Sequence, residues 1–95
     1  MFIINLTYKV GLKEVDEYLD MHIDFLKKQY VEGNFIASGR KEPRTGGIIF
    51  SSLKSKEKLQ AIIEDDPFKI NDLAVYDIIE FIPNMTSLEL EFLKK

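Results

Sequence analysis

The chain has one histidine, and its position is unusual. His22 falls in the middle of an apolar run at helical spacing, Val15, Leu19, His22, Leu26 and Tyr30. An imidazole there points toward a core rather than toward water. Histidine is the side chain whose unperturbed pKa, about 6.5, best suits proton transfer near neutrality. As a plain core group it needs only a hydrogen-bond partner. As an acid–base group it needs a carboxylate that fixes its tautomer and raises its basicity. Glu64, Asp65 and Asp66 are candidates, because they stand where a second helix must end. The negative end of the helix dipole disfavours acids at such a place. Either they form a solvated turn before Pro67, or one of them reaches back to His22; spacing alone does not choose among the three.

The arginines form a second constellation. Arg40 and Arg44 are the only two among thirteen basic residues, and both lie in a segment with Ser38, Gly39, Gly46 and Gly47. Guanidinium forks match carboxylates and phosphates, and glycine lets a ligand approach backbone N–H groups. The plainer reading is a glycine-containing hairpin with two solvated cations.

The elements that must position these residues follow from periodicity and punctuation. Residues 1–8 are rich in branched and aromatic side chains and read as a strand. Gly11 breaks it, and Leu12 to Glu32 read as one long helix that Gly33 and Asn34 stop. Phe35 to Arg40 and Gly47 to Ser51 read as strands around a turn at residues 42–46. Ser55 resembles an N-cap for a helix from Lys56 to about Glu64, which Asp65, Asp66 and Pro67 end. Leu73 to Ile82 read as a fourth strand. Thr86 to Glu89 match a capping box, which predicts a short helix over 87–94, although the alternation of Leu88, Leu90 and Phe92 also permits a strand.

The resulting order, β-α-β-β-α-β, is the split β-α-β pattern: an α+β, ferredoxin-like fold with a four-stranded antiparallel sheet and both long helices on one face. The other face should then be polar, and it is not. The fourth strand places Val75, Ile79 and Phe81 on one side and Ala74, Tyr76, Ile78 and Ile82 on the other. A second copy of the chain, sheet against sheet, is the simplest cover, which predicts a homodimer. The alternative cover is the terminal segment folding over part of that face.

Composition narrows the function classes. Ninety-five residues make one small domain over 1–95, and 45% hydrophobic with 31% charged residues is a globular balance. With no cysteine there is no disulfide, thiolate metal site or cysteine nucleophile, and one histidine argues against structural zinc. A net charge of −3 argues against nucleic acid as the main partner. No apolar run approaches the roughly 20 residues of a membrane span. No charged-then-apolar leader stands ahead of the first strand, so a cytoplasmic protein is expected.

Taken together, His22 in the first helix, the segment Phe35-Ile36-Ala37-Ser38-Gly39, the run Gly47-Ile48-Ile49-Phe50 and above all Asp65-Asp66-Pro67-Phe68 resemble the YciI-like (YCII-related) family of the dimeric α+β barrel superfamily. The resemblance extends to about Pro83. It implies a homodimer and a pocket lined by His22 and Asp66 as an acid–base pair, Asp66 rather than Asp65 being the residue at the family's position. Ser38, Gly39, Arg40, Gly47 and Phe68 are the candidates for ligand contact. Some members resemble isomerases and dehydrohalogenases that process aromatic rings. Arg40 is a departure, since members often carry proline after that glycine.

Two functions from different classes fit this reading. One is a small enzyme without metal or cofactor, in which the His22–Asp66 pair abstracts a proton beside a carbonyl of a small anionic or aromatic-derived metabolite, leading to isomerisation or elimination. The other is a non-catalytic dimer, ligand-binding or stress-associated, with the same pocket. Fold alone does not separate them.

Overall fold

The computed structural model describes residues 1–94. Its elements are β1 (Phe2–Tyr8), α1 (Leu12–Glu17), α2 (Leu19–Val31), β2 (Phe35–Arg40), β3 (Gly46–Ser51), α3 (Lys56–Ile63), α4 (Pro67–Ile70) and β4 (Ala74–Glu80), followed by a 3₁₀ turn over Leu88–Leu93. The strands form one antiparallel sheet in the order β2-β3-β1-β4. This is the ferredoxin-like α+β arrangement expected from the element order.

The central strand explains the core. Phe2, Ile4 and Leu6 of β1 are buried and alternate with residues of the opposite face. Across the ladder Ile4 meets Ile49 of β3 and Ile78 of β4. Val15, Phe25, Leu59, Ile63 and Phe68 close over this face from the helices. Ser55 caps α3 as expected, its Oγ accepting from Lys58 N at 3.1 Å.

Two local expectations are corrected and a third is refined. The helix predicted over 12–32 is two helices that meet at Tyr18, whose N–H donates to Val15 O in a tightened i to i−3 turn. Packing decides this: Val15 is sealed in the core while Tyr18 and Leu19 press on it from the next segment. The inward stripe of α2 runs through His22, Phe25 and Gln29, not through Tyr30. Tyr30 stays partly exposed because its hydroxyl shares a hydrogen bond with Ser38 Oγ on β2, while Gln29 Oε1 accepts from Asn34 Nδ2 at 2.8 Å. The expected short terminal helix forms over Leu88–Leu93 as a 3₁₀ helix rather than an α-helix, without a buried residue or a side-chain cap. Thr86 Oγ1 has no partner, so the capping box does not form, and with no side chain buried there is little to favour a full α-helix.

The second face of the sheet keeps its apolar character. Val75 is 54% and Ile79 49% exposed, and Phe50 and Phe81 are also open. The terminal segment meets only one end of it: Met85, Leu90 and Phe92 line an apolar hollow of about 450 Å³ together with Met1, Ile36, Phe50 and Phe81.

One glycine is demanded by the sheet. A Cβ at Gly46 would lie 1.8 Å from the carbonyl oxygen of Leu6 on β1, whereas a Cβ at Gly39 meets nothing within 4 Å. Gly46→Ala is therefore expected to cost at least about 1–3 kcal/mol, because the rigid backbone of β1 must shift. Gly39→Ala should stay within about 1 kcal/mol. Chemical denaturation of both variants checks the contrast, and equal stabilities would contradict the packing described.

Candidate functional site

The acidic run resolves into distinct roles. The last turn of α3 ends at Glu64, and the chain restarts at Pro67, a residue suited to the first position of a helix. Asp66 is the N-cap of α4, its Oδ1 accepting from Phe68 N at 3.0 Å. It is thus not a misplaced acid at the end of one helix but the opening residue of the next. The extended backbone of that cap turns its carboxylate inward, where it is fully buried. Asp65 is exposed and lies on the outer side of the α2–α4 contact.

His22 arrives at the same point from α2. Its Nδ1 donates to Asp66 Oδ1 at 2.7 Å. With the carboxylate as acceptor, Nδ1 carries the proton and Nε2 keeps its lone pair. The ring is held flat: Phe68 stacks on it at 3.9 Å between centroids and 4° between planes, and Phe25 lies near the ring at 6.4 Å. Phe68 was expected on the ligand side; it is buried behind the imidazole instead and acts as its support.

Sequence reasoning missed Tyr76. Its hydroxyl donates to Asp66 Oδ2, so both oxygens of the carboxylate are engaged, one by His22 and Phe68 N and the other by Tyr76. Burial first, and the Asp66 charge second, push the Tyr76 phenol well above its ordinary range. The signal available was slight: a tyrosine on the helix-facing side of the fourth strand, whose hydroxyl needs a partner once buried.

In front of His22 lies a cavity of about 330 Å³ between α2 and the sheet, within the size range of small-molecule sites. Its floor and walls are apolar, from Leu6, Leu19, Ile23, Leu26 and Ile49. Ser38, Gly39, Arg40 and Arg44 line its β2–β3 side. The two arginines differ. Arg44 donates to Asp16 of α1, and that hydrogen bond holds the Asp16 carboxyl below its usual range and raises the guanidinium. Arg40 has no carboxylate partner among the described residues. Gly47, expected to meet a ligand, does not line the cavity. It sits inside the β2–β3 ladder opposite Arg40, where a Cβ would come within 3.2 Å of Gly39 O.

Among the described residues no three His, Cys, Asp or Glu side chains are grouped to hold a metal ion, and no helix is long and apolar enough to cross a membrane. The arrangement is an imidazole held by a buried carboxylate at the wall of a small, mostly apolar cavity, with one guanidinium that has no carboxylate partner among the described residues.

A model of the YCII-related domain matches residues 1–82. No curated protein matches the sequence. Among solved structures, 5-chloro-2-hydroxyhydroquinone dehydrochlorinase from Burkholderia phenoliruptrix, in complex with 2,5-dihydroxybenzoquinone, superposes with a TM-score of 0.74 at 16% identity. The match covers 84% of this chain and 91% of that one, and at such identity it establishes a shared fold.

The Tyr76 phenol sets an alkaline limit on stability. Its folded pKa is raised above the unfolded value of about 10. Its contribution is therefore intact below about pH 10 and is lost as pH rises toward the folded value, at up to about 1.4 kcal/mol per pH unit. Urea unfolding between pH 8 and 11.5 should give a shallower alkaline decline for Tyr76→Phe than for the wild type. Parallel curves would contradict the buried, carboxylate-bound phenol.

Proposed function

The chain belongs to the YCII-related domain family, and from that premise we propose that it is a small cofactor-independent enzyme that moves protons on a small, anionic, ring-sized metabolite. The observation that carries the reading is the hydrogen bond from His22 Nδ1 to the buried Asp66 carboxylate, beside a cavity for a ligand. His22 Nε2 takes a proton from carbon next to a carbonyl. The electron pair left behind moves onto the carbonyl oxygen as an enolate. Its collapse either returns the proton to another carbon, an isomerisation, or expels a leaving group such as chloride, an elimination. Asp66 stabilises the imidazolium formed in the first step and keeps the ring oriented. Arg40 receives the enolate oxygen or a carboxylate of the substrate. The dehydrochlorinase that shares the fold and binds a dihydroxybenzoquinone supports an oxygenated ring as the substrate type.

We further propose that the protein is a homodimer in which the open face carrying Val75 and Ile79 is covered by a second copy. The support is the apolar sheet face that the terminal segment leaves uncovered.

The catalytic reading is tested by deuterium exchange from heavy water into a panel of small cyclic ketones and hydroxyquinones, followed by NMR. Wild type should catalyse exchange into at least one of them. His22→Ala should lose it by about 10²–10⁴-fold, while binding 2,5-dihydroxybenzoquinone within a few-fold of wild type. Binding without exchange across the panel would favour the non-catalytic ligand-binding dimer instead. Arg40→Lys should weaken the same probe several-fold through loss of the planar fork, and unchanged affinity would make Arg40 a solvated surface charge. For the dimer, sedimentation at micromolar concentration should give twice the chain mass for wild type and a smaller species for Ile79→Glu. A monomeric wild type would overturn that part.

A further inference from the structure

The His22–Asp66 pair has a third member that sequence did not indicate, and it touches the only part of the carboxylate that the pair leaves free. Asp66 Oδ1 already receives two hydrogen bonds, from His22 Nδ1 and from Phe68 N. Oδ2 receives one, from the Tyr76 hydroxyl. We propose that Tyr76 is a positioning residue for the acid–base pair: by holding Asp66 Oδ2 it keeps the carboxylate turned so that Oδ1 faces His22.

The geometry argues for this beyond simple satisfaction of a buried atom. Asp66 is the N-cap ahead of a four-residue helix, and its backbone is already fixed, its N–H donating to Ile63 O and its carbonyl accepting from Lys69 N and Ile70 N, so what remains to be set is the orientation of the short side chain. Phe68 N and His22 Nδ1 hold Oδ1 and the Tyr76 hydroxyl holds Oδ2, so the plane of the carboxylate is gripped at both oxygens. Tyr76 comes from the middle of β4, an edge strand paired along its length with β1, where it stands opposite Leu6. It therefore ties the pair to the sheet rather than to a loop. The far side of the Tyr76 ring faces a separate hollow lined by Gln60, Glu64 and Lys69.

The charged and titratable groups facing this point come from four elements. They are His22 on α2, Glu64 at the end of α3, Lys69 on α4, whose ammonium lies 5.5 Å from the Tyr76 ring centroid, and Tyr8 on β1. Only His22 and Tyr76 make side-chain hydrogen bonds to the carboxylate. Removing the phenol takes a donor from the carboxylate and strengthens its hold on the proton it shares with the imidazole. The pair then gains its proton more readily, whichever of the two groups holds it.

This inference rests on the proposed function for its meaning but not for its test. The ¹⁵N resonances of the single imidazole report the titration of the pair without any substrate. In Tyr76→Phe the midpoint of that titration should rise by about one pH unit relative to wild type. Asp66→Asn, which removes the carboxylate charge, should move it the opposite way. If Tyr76→Phe does not fold, 3-fluorotyrosine at position 76 keeps the ring and makes the hydroxyl a stronger donor, and the midpoint should then fall. With an activity in hand, Tyr76→Phe should lower kcat by at least tenfold with KM within a few-fold, and its acid limb should move with the imidazole midpoint. A folded Tyr76→Phe with an unmoved midpoint overturns the proposal even if its thermal stability is lower, since that is what a merely structural hydrogen bond would give. An unmoved midpoint with fluorotyrosine does the same. Absence of exchange activity in wild type, with the midpoint shift intact, would instead sink the enzymatic reading and leave the role of Tyr76 standing.

Discussion

A carboxylate removed from water must be surrounded by donors or it takes up a proton. Asp66 is fully buried in this fold, and three donors from three different elements converge on it. Much of the local structure can be understood from that requirement. The chain must leave α3 before Asp66 so that its backbone is free to adopt an N-cap conformation. Pro67 suits the restart, because its missing N–H would have had no partner in the first turn. Phe68 then follows with an N–H aimed back at Oδ1 and a ring laid against the imidazole. The Asp-Pro-Phe sequence is thus one device: it starts a helix, orients a carboxylate and flattens a histidine.

The cavity in front of His22 divides its charges by the same economy of partners. Arg44 is tied to Asp16 and anchors the β2–β3 hairpin to α1. Arg40 lies one ladder position from Gly39, without a carboxylate partner among the described residues. Two neighbouring guanidinium groups would otherwise repel each other and demand counterions. Pairing one of them internally leaves a single positive group to face an incoming anion, against walls that are otherwise apolar. Tyr30 acts similarly on the neutral side, engaging Ser38 so that its hydroxyl is not free to turn.

The sheet itself is asymmetric in how it is covered. Its helix side is sealed, while the other side exposes branched residues that few monomers leave in water. The terminal segment lies beyond the matched family region, which ends at residue 82. It brings Met85, Leu90 and Phe92 to one end of the sheet, but its 3₁₀ helix offers no buried side chain of its own. It extends the apolar surface more than it closes it.

The element order, the strand faces and the Ser55 cap were legible in the chain because each depends on residues close in sequence. Alternation placed Val75 and Ile79 on one side of β4 and Ala74, Tyr76 and Ile78 on the other, and helical spacing put His22 on an inward stripe. The choice of Asp66 over Asp65 came from likeness to a known family, since two adjacent acids before a proline are equivalent by local rules. Only the packed structure distinguishes them: the N-cap turns one inward, and the other stays in solvent. The break at Tyr18, the burial of Gln29 in place of Tyr30, the retreat of Phe68 and Gly47 from the cavity and the engagement of Tyr76 were all decided by tertiary contacts. Tyr76 lies ten residues from Asp66 and fifty-four from His22 in the chain. A hydrogen bond between side chains on different elements depends on how a strand and a helix are set against each other, and no local pattern of residues encodes that distance.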